Sequence, residues 1–347
     1  MRDDEVVAVR SGDESAFAAL IEPHRRELRV HCYRMLGSFD EAEDLVQETF
    51  LRAWRRRDGF EGRATFRAWL YRIATNACLD HLDGRARRVL PHHVSPPSVG
   101  EAVPDTEIPW LQPYPDRLWE PAESPAQQPD SVVIERETIE LAFLAAIQHL
   151  PPRQRAALIL TDVIGWPAKQ TAELLETSVA SVNSALQRAR ATLRDRLPER
   201  RTDWAPAPAS TRSERAVLQR YMAAFERADL AAVADLLAAD VRATMPPFPL
   251  WMAGRDDVMA ALTTSWDPGS PAYVGRFRMV PTGANAQPAA AGYVRGRDDD
   301  AFHPFAIVVL RVEREHIAEL TAFHDPAVFA AFGLPATLPQ ILPAVDR

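Results

Sequence analysis

The sequence predicts a multidomain protein: two all-α helical domains, the second a helix-turn-helix, joined by a proline-rich acidic linker and followed by an α+β domain. Three observations predict it. The chain has 347 residues, more than one domain usually holds. Apolar residues recur at helical spacing over two separate stretches, and short or alternating apolar runs follow only near the C-terminus. The 29 prolines exceed what a compact domain needs, which places linkers between the periodic segments. The expected boundaries are a helical domain at 1–90, a linker at 91–133, a helix-turn-helix domain at 134–202, a short linker at 203–212, an α+β domain at 213–337 and a tail at 338–347.

Composition excludes several classes of function. No apolar run is long enough to cross a bilayer, and the acidic opening MRDDEVVAVRSGDE lacks the basic-then-apolar order of a signal peptide, so a cytoplasmic location is expected. Cys32 and Cys78 belong to no CxxC pair and no Cys/His cluster of metal-ligand spacing; they read as buried apolar residues, and neither a metal nor a cofactor is expected. The net charge is −8, but residues 91–137 carry two basic and nine acidic residues, and residues 1–90 are neutral. The acidity therefore sits mainly in the first linker and does not exclude nucleic acid as a partner.

In the first domain, FAALIEPHRRELRVHCYRMLG, FDEAEDLVQETFLRAWRRR and ATFRAWLYRIATNACLDHL read as helices separated by turns at Gly37 and at Gly59 to Gly62. In the second of these, Ala42, Leu45, Val46, Phe50, Ala53 and Trp54 form an inward stripe. Asp40, Glu41, Asp44, Gln47 and Glu48 lie on the opposite face, with Leu51 in their midst. An acidic face with one exposed apolar residue suits a basic partner helix; the bland alternative is a solvated face. Residues 91–130 show no sustained period and read as an extended linker, although Trp110, Leu111, Tyr114, Leu118 and Trp119 are too apolar for a mere spacer.

Helical periodicity returns over Ile134 to Leu197 in three or four short helices. In KQTAELLETSVASVNSALQRAR, a helix ends near Leu175, a three-residue turn follows, and Ser178 can cap the next helix. On that helix Val179, Val182, Ala185, Leu186, Ala189 and Leu193 face inward, and Ala180, Ser181, Ser184, Gln187, Arg188 and Arg194 face out. Small residues permit close approach to a DNA groove, where Gln187 and Arg188 would reach base edges or phosphates; an ordinary solvated helix fits the same pattern. Beyond the second linker, residues 213–240 and 254–266 read as amphipathic helices, and 277–297, 305–313 and 316–324 as strands of an antiparallel meander.

DEAEDLVQETFLRAW, FEGRATFRAWLYRIATNACLDHL and LPPRQRAALILTDVIGWPAKQTAELLETSVASVNSALQRARATLR together resemble regions 2 and 4 of sigma-70 family RNA polymerase sigma factors, of the extracytoplasmic-function group. The segments AAFERADLAAVADLLAADV and HIAELTAFHDP are similar to SnoaL-like domains, which are cone-shaped sheets wrapped by helices. The resemblance implies a non-enzymatic factor that binds core polymerase and promoter DNA, with the SnoaL-like domain modulating its activity. A stand-alone helix-turn-helix regulator and a SnoaL-like cyclase or isomerase are the alternatives. By the same resemblance, Asp44, Gln47, Glu48 and Leu51 bind the β′ clamp helices, and the second helical domain meets the β flap. Gly62, Arg63, Ala64, Thr65, Arg72 and Asn76 hold the −10 element, with Trp69 mainly structural. Ser181, Asn183, Ser184, Gln187 and Arg188 read the −35 element, and Arg85, Arg87 and Arg88 are left for phosphates. Arg153 and Arg155 are phosphate clamps or merely solubilising. Glu176 stands where the turn commonly has glycine, which implies either a strained left-handed backbone or a differently shaped turn. The acidic linker would occupy a positively charged polymerase channel. In the C-terminal domain Tyr221, Trp251, Trp266, Tyr293 and His324, with Phe225, Met245 and Phe305, line a small-molecule cavity or form core.

Overall fold

Capping side chains start three of the helices described in the N-terminal part. Asp13 accepts from the amides of Ser15 and Ala16 at 2.8 and 3.2 Å and opens α1 (Glu14–Ile21). Gly37, at φ 70°, ends α2 (Arg25–Leu36). Ser38 then caps α3 (Phe39–Arg55), and Thr65 caps α4 (Phe66–Leu82). The computed structural model describes residues 12–61, 65–100, 102–118, 139–197 and 212–339, with residues 7 and 10. It divides into two units: Met1–Arg88 with Pro121–Pro206, and Val89–Glu120 with Ala207–Arg347.

In the first unit, Leu28, Tyr33, Met35, Val46, Leu70 and Ala74 bury the apolar faces of α2, α3 and α4 against one another. Cys32 and Cys78 are free and buried. His31 lies in this core with Nε2 2.9 Å from Thr75 Oγ1, and burial pushes its pKa down to about 3, aided by Arg34. Its folded pKa is depressed below the unfolded value of about 6.5, so the stability it contributes is present above that value and is lost as pH falls toward 3. Between pH 7 and pH 5 the loss attributable to His31 is about 2 kcal/mol. Urea melts of the wild type and of His31→Gln at the two pH values measure it: the wild type should lose the larger stability, and equal losses would contradict the assignment.

The second helical part comprises α5 (Leu141–Ile147), α6 (Pro152–Leu158), a π-helical turn at Ile159–Val163, α7 (Ala168–Leu174) and α8 (Val179–Arg196). Arg155 corrects the expectation that it clamps phosphate or solubilises: it is 2% exposed. One terminal nitrogen donates to Gln148 Oε1 at 2.6 Å and to the Met35 carbonyl, and the other to the carbonyls of Gln148 and Leu150 at 3.1 and 3.2 Å. Burial lowers its pKa to about 10, which leaves it charged at neutral pH. A guanidinium with this many carbonyl partners is stable in the interior, and here it ties α6 to the end of α2.

The second unit contains α9 (Arg212–Glu226), α10 (Leu230–Leu236), α11 (Arg255–Trp266), α12 (Val328–Ala331) and six strands. The strands are β1 (Leu237–Thr244), β2 (Trp251–Ala253), β3 (Arg276–Ala284), β4 (Gln287–Arg295), β5 (His303–Glu313) and β6 (His316–Phe323), ordered β2-β1-β6-β5-β4-β3. β3 to β6 form the expected antiparallel meander, but β1 joins β6 in parallel, where helix was expected through Asp240. Ala228, at φ 52°, breaks that helix, and Asp229 caps a new one. Beyond it, the buried Leu237 and Val241 make strand pairing outweigh the helix propensity of an alanine-rich run. Residues 277–297 are likewise not one strand but a hairpin, turned at Asn285 and Ala286 with φ 57° and 56°.

The proline-rich stretch is the largest departure from expectation. Residues 89–118 are not a free extended linker but a strap packed on the α+β unit. Its apolar residues Trp110, Leu111 and Tyr114 are buried, and Trp119 lies outside the described residues. The Ser98 amide donates to the Trp251 carbonyl at 2.9 Å, the Asp105 amide to that of Pro247 at 3.0 Å, and Trp251 Nε1 to that of Ser95 at 2.8 Å. Further along, Tyr114 and Asn285 exchange two bonds of 2.9 Å, and Arg117 donates to the Ala331 carbonyl. Long-range pairing of this kind leaves no period in the sequence, which is why the strap reads as linker.

Candidate functional site

α3 presents its inward stripe as expected: Ala42, Leu45, Val46, Phe50 and Ala53 are buried, and Trp54 stacks edge-on against Phe17 at 5.1 Å. Asp44 and Gln47 are exposed on the opposite side, and Leu51 is 51% exposed, while the other large apolar residues of α3 are buried or half-buried. Glu48 pairs with Arg52 at 2.8 Å, and Arg52 also reaches Asp80 at 2.9 Å. Glu41, at the start of the helix, is met by Arg85 and Arg88 at 3.4 and 2.8 Å and by His81 at 3.3 Å; burial raises its pKa, but Arg88 and His81 hold the carboxyl below the ordinary range. These two arginines are therefore turned to a carboxylate of their own chain rather than left for phosphate. The chain reverses at Asp83 and Gly84, which folds the basic run back over α3.

Gly62, Arg63 and Ala64 lie outside the described residues. Thr65 spends its hydroxyl on the Ala68 amide at 3.2 Å as the cap of α4. Along α4, Arg72 is exposed and Asn76 half-buried, and Trp69 packs on Phe60 and Phe66 at 5.1 and 5.7 Å, a structural place. Arg72 donates to Glu176 at 2.6 Å, so a residue offered to the −10 strand is paired with the turn of the helix-turn-helix.

That turn holds Glu176 at φ 53°. A non-glycine residue there carries strain of about 1 kcal/mol, and its ion pair with Arg72, half-exposed on both sides, returns little of it. Glu176→Gly should therefore raise stability by up to about 1 kcal/mol while Glu176→Gln stays near the wild type. Chemical denaturation of the three proteins tests this, and a destabilised glycine variant would show the turn unstrained.

Ser178 caps α8 by accepting from Ser181 N at 3.1 Å. Ser181, Asn183, Ser184, Gln187 and Arg188 are exposed along one side, and Val182, Leu186, Ala189 and Leu193 are buried on the other. Val179, expected inward, is 41% exposed, and Ala180 and Ser181 beside it in the first turn of α8 are exposed too. Arg190 forms a bidentate pair with Asp162 at 2.8 and 2.9 Å, which fixes α8 to the segment before α7. Arg153 donates to the carbonyl of Leu175 at the end of α7.

In the α+β unit, α9, α11 and the sheet enclose a cavity of about 490 Å³. Tyr221, Trp266 and His324 are on its wall, with Phe225, Met245 and Phe305. Trp251 and Tyr293 are not: Trp251 is turned to the strap, and the Tyr293 hydroxyl donates to the Pro335 carbonyl at 2.8 Å. Sequence reasoning did not find Ser98, Val99 and Gly100 of the strap, which also line the cavity. Burial pushes the His324 pKa down to about 4, so the ring is neutral at pH 7.

Two helical modules, the second a helix-turn-helix with a polar outward face, are the architecture of a transcription factor. The chain matches Sigma-70 region 2 over residues 20–88, Sigma-70 region 4 over 140–193 and a SnoaL-like domain over 218–320. It is 43% identical to the ECF RNA polymerase sigma factor SigG of Mycobacterium tuberculosis over 345 residues, 97% of this chain and 90% of that one. It is 31% identical to SigW of Bacillus subtilis, over 54% of this chain and 92% of that one. The crystal structure of M. tuberculosis SigJ shares the fold at a TM-score of 0.58 and 22% identity, covering 92% of this chain and 99% of that chain. The chain belongs to the extracytoplasmic-function RNA polymerase sigma factors of the sigma-70 family and carries a C-terminal SnoaL-like domain.

Proposed function

We propose that the α3 face of Asp44, Gln47, Glu48 and Leu51 grips the β′ clamp helices of core polymerase, with the second helical part on the β flap, in the cytoplasm. The observation that carries the proposal is Leu51, an exposed leucine on the carboxylate-bearing face of a helix whose other large apolar residues pack inward. Charge orients the partner, and the leucine supplies buried apolar area. The loop at 60–66 with Arg72 and Asn76 then holds an unpaired −10 base, and Ser181, Asn183, Ser184, Gln187 and Arg188 enter the major groove at the −35 element. The Arg72–Glu176 pair opens in that state, at small cost because both side chains are exposed. A channel-filling role for the acidic residues of 91–133 requires release of the docked strap. The α+β unit modulates initiation and takes a small-molecule ligand in its cavity.

Reconstitution with core polymerase, followed by sequencing of the transcripts, tests the reading: transcripts should share upstream −10 and −35 sequences. A chain ending at Thr202 should alter transcript output, and unchanged output would remove the modulating role.

A further inference from the structure

The SnoaL-like unit's cavity is closed partly by the strap, and its wall is chemically uniform. Among its described lining residues there is no aspartate, glutamate, lysine or arginine. Aliphatic and aromatic side chains make most of it, with Tyr221, Phe225, Leu237, Val258, Phe277 and Leu320 among them. Two polar groups on the wall lack a protein partner: Trp266 Nε1 and His324 Nε2. Trp266 is 7% exposed, so its N–H is a buried donor. His324 is neutral, and its ring makes a backbone hydrogen bond to Phe305, which leaves Nε2 as the acceptor. Buried polar groups without partners are uncommon and mark where a ligand's polar atoms would sit. A charged ligand would find no counter-charge there and would lose its hydration.

Resting on the reading that the α+β unit takes a ligand, we propose that this ligand is uncharged, mostly apolar and drug-sized, with a carbonyl or hydroxyl oxygen accepting from Trp266 and a hydroxyl donating to His324, and that the strap residues Ser98–Gly100 form its lid. The lid is held from outside the cavity by the Ser98–Trp251 and Ser95–Trp251 hydrogen bonds. Ligand and strap docking are therefore thermodynamically linked: a ligand that needs the lid stabilises the docked strap by mass action. The strap is also the chain that joins the two helical parts, so occupancy of the cavity restrains the connection between the −10 and −35 readers.

The test uses the full chain without polymerase, so its outcome does not depend on the transcription reading. Nile red, neutral and carrying a carbonyl, is titrated by fluorescence, with anionic 1-anilinonaphthalene-8-sulfonate as comparison. One saturable Nile red site with blue-shifted emission is expected, and little binding of the anion. Trp266→Phe should weaken the neutral probe by about 3- to 10-fold, the worth of one neutral hydrogen bond. Val99 is 46% exposed, so Val99→Asp should leave the melting temperature unchanged while weakening the probe by about tenfold or more. Probe at ten times its Kd should slow amide exchange at Ser98 and Asp105 by about tenfold. No saturable site, or equal binding of the anion, overturns the ligand class. Unchanged affinity in Val99→Asp or unchanged exchange overturns the lid. A Thr202 truncation with normal transcription would instead sink the modulating role and leave these results standing.

Discussion

The double variant Asp44→Lys, Glu48→Lys should lose affinity for core polymerase by about 100-fold or more, since reversing two interfacial charges costs about 3 kcal/mol. Asp44 is exposed and Glu48 has only the helix-surface partner Arg52, so the fold should lose no more than about 0.5 kcal/mol. Sedimentation of the variant with core enzyme, beside its thermal melt, separates lost docking from lost folding. Affinity retained by a folded variant would remove this face from the interface. The loss should also shrink as salt is raised, because screening weakens the wild-type contact first.

Arg155→Met should cost about 3 kcal/mol or more, because the carbonyls of Met35, Gln148 and Leu150 lose their shared donor inside the protein. Arg153→Met, a change of the same size on a side chain with a single carbonyl contact, should stay within about 1 kcal/mol. Guanidinium melts of both variants measure the difference. Equal stabilities would mean that water takes over the role of the buried guanidinium.

Much of the fold was legible because it rests on short-range chemistry. The stripe Ala42, Leu45, Val46, Phe50 and Ala53 follows from a 3.6-residue period, and Ser178 as a cap follows from a hydroxyl three residues before a free amide. The left-handed turn at Glu176 was expected instead from the family resemblance, in which glycine commonly holds that position. Arg153 and Arg155, two residues apart in LPPRQR, could not be told apart locally. One ends at the surface and the other in the core only because α2 arrives from 120 positions away in the sequence.

Periodicity and capping along the chain were thus enough for the order of the helical and α+β parts, most of their helices and the outward faces proposed for polymerase and promoter. Three features rest instead on contacts between distant segments: the strap on the SnoaL-like unit, the parallel pairing of β1 with β6, and the neutral cavity that Trp251 and Tyr293 do not reach. Each depends on which buried surfaces and unpaired backbone groups meet once the chain is compact, and a local repeat carries no record of that meeting.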